Sequence, residues 1–259
     1  MKSGQTVGYV SDLRVVADQA TLAQEAAKRV VAIAEEAVIR SGRFTVALAG
    51  GSTPTRLYSL LAVEPYCTRL PWQKTHVFWG DERVVPPTHP DSNFGMTRTA
   101  LLSRVPIPAN QVHRMQAERA DLAAAAHDYE AEIAHTFAAH PSGEPPAFDL
   151  VLLGLGTDGH TASLFPYTQA LQETTQWVTP NYVPTLQTHR LTLTPPILNR
   201  AATTLFLVSG VEKAPALQAV LQGPADPERL PAQLIRPVAG HLIWLVDQAA
   251  ASRLGERTP

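Results

Sequence analysis

Phe148-Asp149-Leu150-Val151-Leu152-Leu153-Gly154-Leu155-Gly156-Thr157-Asp158-Gly159-His160-Thr161-Ala162-Ser163-Leu164-Phe165-Pro166 is the stretch that decides how the chain folds. Its first six residues are almost continuously apolar, as expected of a parallel strand covered on both faces. Three glycines then bracket Asp158 and His160, so a buried strand runs straight into a loop whose backbone can turn sharply and approach a ligand closely. A histidine at such a strand end is placed to accept a proton near neutral pH. His160 is the first candidate for chemistry. Asp158 stands two residues before it, a spacing that does not by itself put the two side chains in contact.

Outward from this stretch the same grammar of strand, glycine turn and helix recurs. Apolar positions Leu22, Ala26, Val30, Ile33 and Val38 predict a long amphipathic helix over Ala17 to Arg40, stopped by Ser41-Gly42. Phe44 to Ala49 reads as a strand, Gly50 to Pro54 as a glycine-rich turn and Arg56 to Leu61 as a helix. Thr75 to Trp79 reads as a strand entering a polar loop, Gly80 to Asn93, before a helix over Phe94 to Ser103. Ala117 to Ala139 is a second long, alanine-rich helix, and Pro141 to Pro146 a Pro/Gly-rich connector. Further strands fall at Arg190 to Leu193, Thr203 to Val208 and His241 to Val246, with a helix over Glu212 to Leu221. Alternation of this kind predicts an α/β fold, a mostly parallel sheet with helices on both faces. Neither a fixed-period repeat nor a domain boundary is visible, and residues 1–259 read as one domain.

Composition bounds the function. The 259 residues are 45% hydrophobic and 17% charged, which is ordinary for a folded protein. The net charge of -2 comes from 21 basic and 23 acidic residues without a long block of either sign, arguing against nucleic acid or an anionic membrane as partner. Cys67 is the only cysteine, so neither an intrachain disulfide nor a thiolate metal cluster is available and a reducing compartment is expected. The nine histidines are scattered without H-E-x-x-H spacing, giving no reason to expect a metal. Met1 to Val10 carries one Lys and no apolar stretch long enough for a signal peptide, and no run approaches the ~18 apolar residues of a membrane span. The expectation is a soluble, cytoplasmic monomer or small homo-oligomer acting on a small molecule.

In open parallel sheets, ligands sit beyond the carboxyl ends of the strands. Four loops qualify. Gly50 to Thr53 offers glycines, hydroxyls and an adjoining helix start, all suited to phosphate, but it lacks the lysine of a P-loop and the spacing of a dinucleotide fingerprint. Gly80-Asp81-Glu82-Arg83 places carboxylates and a guanidinium at a strand end, and Arg is suited to phosphate by its rigid fork of donors. Asp91-Ser92-Asn93-Phe94 reads as a plain helix cap. The His160 loop is the third, and Ser209-Gly210-Val211-Glu212-Lys213 the fourth; a lysine in the first turn of a helix opposes the helix dipole unless an anion is near. Taken singly, these loops also read as a tight turn, a solvated charged turn and a surface lysine. Ser163 lacks a G-x-S-x-G elbow, and Cys67 lacks any context that would activate a thiol.

In combination, the segments Ala49-Gly50-Gly51-Ser52-Thr53-Pro54, Trp79-Gly80-Asp81-Glu82-Arg83, Asp91-Ser92-Asn93, Leu153 to Pro166, Arg190-Leu191-Thr192-Leu193 and Ser209 to Lys213 resemble, in order, the 6-phosphogluconolactonases of the glucosamine-6-phosphate isomerase family. The resemblance implies a Rossmann-like three-layer α/β/α sandwich and hydrolysis of a phosphorylated sugar lactone without metal or organic cofactor. It implies that Gly51, Ser52 and Thr53 receive the phosphate, that Arg83 and Lys213 neutralise it, and that Arg190 contacts substrate. By the same carry-over, Asp81 and Asp158 line the carbohydrate site and His160 acts on water, with Asp158 either orienting His160 or binding a substrate hydroxyl. The deaminase members resemble a pattern continuing the Asp-Gly-His segment into Phe-Asn-Glu-Pro, where Glu assists the histidine; here the continuation is Ser163-Leu164-Phe165-Pro166, without a carboxylate. A deaminase or isomerase, and a sugar-phosphate sensor without catalysis, are the alternatives.

Overall fold

The computed structural model describes residues 10–140 and 143–255. Residues 1–9 of the segment read for a signal peptide, and residues 141–142 of the Pro/Gly-rich connector, lie outside the described residues. The strands are β1 (Val10–Val16), β2 (Phe44–Leu48), β3 (Thr75–Trp79), β4 (Asp81–Arg83), β5 (Leu150–Leu153), β6 (Val178–Val183), β7 (Thr188–Leu193), β8 (Thr203–Val208) and β9 (His241–Asp247). Six of them form one sheet in the order β1-β9-β8-β5-β2-β3, each neighbouring pair parallel.

Side chains alternate across this sheet with period two, and in its centre both sets are buried. Val46, Leu48, Leu150, Leu152, Leu205 and Leu207 join one core, while Val151, Leu153, Phe206 and Val208 join the other. Neither face of such a sheet can meet water, so helices cover both. The first core is closed by α1 (Gln19–Ser41), α2 (Ser52–Leu61), the short α3 (Tyr66–Arg69) and α4 (Asn93–Ala100). The second is closed by α5 (Leu122–Phe137), the short α6 (Pro195–Leu198) and α7 (Ala214–Gln222). The expected three-layer α/β/α sandwich is the observed fold.

Local chemistry sets the helix ends. The Asp18 carboxylate accepts the Thr21 N–H at 2.8 Å to start α1. Gly42, at φ 77°, ends the helix in the left-handed conformation that only glycine adopts cheaply, its N–H returning to the Val38 carbonyl. Between them, Leu22, Ala26, Val30 and Ala34 are buried along one stripe, and burying a Leu or Val side chain stabilises the fold by about 1.5–3 kcal/mol each. The helix expected from Ala117 begins instead at Leu122, where the Asp121 side chain caps the Ala124 N–H.

The region after Gly80 also departs from the sequence reading. Part of the polar loop after Gly80 is a strand, β4, and the strand anticipated over Arg190 to Leu193 belongs outside the parallel sheet. With β6 they make a second, antiparallel sheet in the order β4-β7-β6. Gly80 joins the two sheets: its N–H donates to the Leu48 carbonyl and its carbonyl accepts the Leu193 N–H, both at 2.8 Å.

Topology then locates the crevice. The chain leaves β2 toward β3 on one side and leaves β5 toward β8 on the other, although β2 and β5 are neighbours. Their loops diverge at their carboxyl ends, and that is where an open α/β sheet leaves room for a ligand.

Candidate active site

A crevice of about 460 Å³ opens at this point. It is lined by Gly51, Asp81, Arg83, Asp158, His160 and Lys213, which the sequence reading placed in four separate loops, and by Arg190, which it placed in a strand. Ser52 and Thr53 do not line it; they form the first turn of α2, where N–H groups lack intrahelical acceptors. Gly51 precedes them at φ 103°, a conformation that an L side chain rarely adopts.

The His160 loop is built around one contact. Asp158 Oδ1 lies 2.6 Å from His160 Nδ1 and also accepts the His160 N–H at 3.1 Å. An ionised carboxylate only accepts, so Nδ1 carries a proton, and in the neutral ring the lone pair is on Nε2. Burial acts to raise the Asp158 pKa, but hydrogen bonding and the charge of His160 outweigh it and hold the carboxyl below its usual range. Gly156 is required by this pair: a Cβ there would stand 2.1 Å from His160 Nδ1 and 2.5 Å from Asp158 Oδ1. On its other side the imidazole stacks on Phe165, with ring centroids 4.0 Å apart. The ring is thus fixed in plane and in tautomer, as a general base needs.

Three cations line the same crevice. Arg83 and Arg190 are direct cross-strand partners in β4 and β7, a like-charge pairing that is unfavourable without an anion between. Burial, and then the charge of Arg83, lowers the Arg190 pKa. Lys213 enters from the start of α7, where its charge opposes the helix dipole. Its turn is anchored by the buried Asp247, which accepts from Ser209 Oγ and the Gly210 N–H. Among the described residues, none of these three cations has a carboxylate oxygen within 4.0 Å.

Residues that the sequence did not single out hold the acidic side. Glu82 is 3% exposed yet fully engaged. It accepts the N–H groups of Arg83, Asn93 and Phe94 at 2.8 Å each, and the Ser92 hydroxyl at 3.2 Å, tying β4 to the start of α4. Burial pushes its carboxyl above the usual range against the pull of these donors. Asn93, which reads in sequence as part of a cap, sends its side-chain amide to the Asp81 carbonyl at 2.9 Å and to Asp81 Oδ1 at 3.2 Å. Its carbonyl oxygen fills the place of a side chain on Gly50, where a Cβ would come within 1.8 Å. Only glycine fits at Gly50, which explains the first glycine of that turn.

A fixed imidazole, two carboxylates and three cations lacking ion-pair partners around one crevice describe an α/β enzyme that works on a small anionic molecule. The model of the glucosamine-6-phosphate isomerases/6-phosphogluconolactonase family matches residues 17–244, and the chain belongs to that family. It is 43% identical over 242 residues to 6-phosphogluconolactonase of Nostoc sp., covering 93% of this chain and 98% of the relative. It is 48% identical over 219 residues to that of Synechocystis sp., covering 85% and 88%. Among solved structures, 6-phosphogluconolactonase from Trypanosoma cruzi superposes with a TM-score of 0.82 at 30% identity, covering 97% of this chain and 99% of that one.

Proposed function

We propose that the protein hydrolyses 6-phospho-D-glucono-1,5-lactone to 6-phospho-D-gluconate, a step of the oxidative pentose phosphate pathway, with His160 as general base and then acid. The observation that carries this reading is the His160–Asp158 pair in a crevice that also holds Arg83, Arg190 and Lys213, none of them ion-paired among the described residues. The cations and the α2 start, with Gly51, Ser52 and Thr53, take the phosphate, which turns binding energy into orientation of the lactone carbonyl. Neutral His160 removes a proton through Nε2 from water as the oxygen attacks the carbonyl carbon. The resulting oxyanion is stabilised by donors of the glycine-rich loops. Collapse of the tetrahedral intermediate breaks the bond to the ring oxygen, and the imidazolium returns its proton to that oxygen as it leaves. Asp158 keeps Nδ1 protonated throughout and steadies the transient positive charge. Asp81 takes hydroxyl donors of the sugar, and Arg190 contacts substrate from the facing strand. In place of the carboxylate that a deaminase sets beside its histidine, Phe165 lies flat on the ring, which suits hydrolysis without proton transfer along carbon.

The substrate is a water-borne sugar phosphate, and among the described residues no helix is long and apolar enough to cross a membrane. Freshly generated lactone, coupled to a 6-phosphogluconate dehydrogenase with spontaneous hydrolysis subtracted, tests the reading. Acceleration that disappears in His160→Ala is expected. No acceleration, with turnover of glucosamine 6-phosphate instead, overturns it in favour of the deaminase.

A further inference from the structure

Ser163 lies three residues beyond His160, yet its hydroxyl is turned to a different partner. Its Oγ donates to Asp81 Oδ2 at 2.6 Å, a short, charge-assisted bond across 82 positions of sequence. Ser163 is 1% exposed and itself immobilised from the small sheet: its N–H donates to Thr192 Oγ1 at 3.2 Å and its carbonyl accepts the Asn181 amide at 2.9 Å. The opposite oxygen of Asp81 receives Asn93 Nδ2. One fixed donor therefore stands at each end of a carboxylate that lines the crevice.

We infer that Ser163 is a positioning residue for substrate recognition: with Asn93 it keeps Asp81 turned toward the crevice as an acceptor for hydroxyls of a polyhydroxylated lactone. A carboxylate has about four acceptor sites, so roughly two remain after these bonds. A competing partner is at hand, because Arg83 and Arg190 line the same crevice as Asp81. Released from Ser163, the carboxylate swings to the arginines. That movement removes an acceptor from the sugar and occupies a cation needed by the phosphate. The inference rests on the lactonase reading, and it assigns Ser163 to binding rather than to proton transfer.

Lactone hydrolysis by wild type, Ser163→Ala, Ser163→Cys, Asp81→Ala and the Ser163→Ala/Asp81→Ala double variant tests it, with a melting temperature for each. Ser163→Ala is expected to raise KM about 10-fold and change kcat less than about 3-fold, as loss of a ground-state contact should. Ser163→Cys, which keeps the size but is a weak donor, is expected to follow alanine. In the double variant the serine change is expected to add nothing beyond Asp81→Ala. Should Asp81→Ala be too slow for kinetics, calorimetric binding of 6-phosphogluconate supplies the same cycle. An unchanged KM in Ser163→Ala, restoration by cysteine, or additive losses overturns the positioning role. An inactive wild type overturns the lactonase reading instead, so the two failures are distinct.

Discussion

Asp158→Asn removes one charge and alters almost no volume. In the protein, Asp158 Oδ1 receives both the Nδ1 proton and the backbone N–H of His160, at 2.6 and 3.1 Å. Hydrogen bonds to charged groups are worth about 1.5–3 kcal/mol. The side chains are 29% and 44% exposed, so solvent screens the pair and the lower part of that range applies. About 1.5–2 kcal/mol of support for the imidazolium is lost from the transition state, which lowers kcat about 10- to 30-fold. KM is expected to stay near wild type, because the proposed mechanism assigns the phosphate to other residues. The coupled lactone assay measures both constants, and the same change in a His160→Ala background isolates the route of the effect. There, Asp158→Asn is expected to add less than about 2-fold, since a residue acting through the imidazole has nothing left to act on. Wild-type kcat in Asp158→Asn, or a full 10-fold loss on top of His160→Ala, would refute the orienting role and favour direct contact with a substrate hydroxyl.

Arg83→Ala and Lys213→Ala are each expected to raise KM about 10-fold with a smaller effect on kcat, through loss of charge-assisted phosphate bonds; steady-state kinetics with an unchanged KM in both would remove them from the cradle. Gly50→Ala drives a methyl into the Asn93 side chain, so a melting temperature several degrees lower and a raised KM are expected, with Asn93→Ala recovering the stability; a wild-type melting curve for Gly50→Ala would contradict the contact. His113 is buried against His76 and Phe78, and burial, opposed by Glu132, lowers its pKa from 6.5. The unfolded chain then binds protons first as pH falls below 6.5, so stability is complete above that value and declines beneath it until the depressed folded pKa is passed. Melting temperatures across this range should show that decline, and His113→Gln should flatten it; identical slopes would clear His113 of responsibility.

The parallel sheet was legible because its central strands are buried on both faces and therefore run apolar, as in Leu150 to Leu153 and Leu205 to Val208. The crevice was legible for a related reason: such strands end in glycine turns, and a charged or titratable residue just beyond one stands out. The small sheet was not. Asp81-Glu82-Arg83 looks like solvated loop because charge normally seeks water, and only the four donors gathered by Glu82 make it a buried strand. Val178 to Val183 contains Pro180, tolerable at the edge of a sheet and a breaker by any local rule. Val10 to Val16 pairs only with β9 and its Leu13 is partly buried, so its alternation is weak. The bonds of Ser163 and Asn93 to Asp81 were not legible, because Asp81 is distant in sequence and no local spacing announces such a bond.

The seam between the sheets is a single residue, Gly80, bonded to Leu48 on one side and Leu193 on the other. There is no slack between β3, which ends at Trp79, and β4, which carries Asp81 and Arg83. The chain is accordingly intolerant of length variation there, in the way a ruler is intolerant of a missing millimetre. An inserted residue would rotate β4 by one pleat and exchange Asp81 for a side chain of the opposite face. The exposed bend at residues 174–175 bears on no such alignment. Drift in chain length among descendants of this sequence should therefore collect in the latter and spare the former.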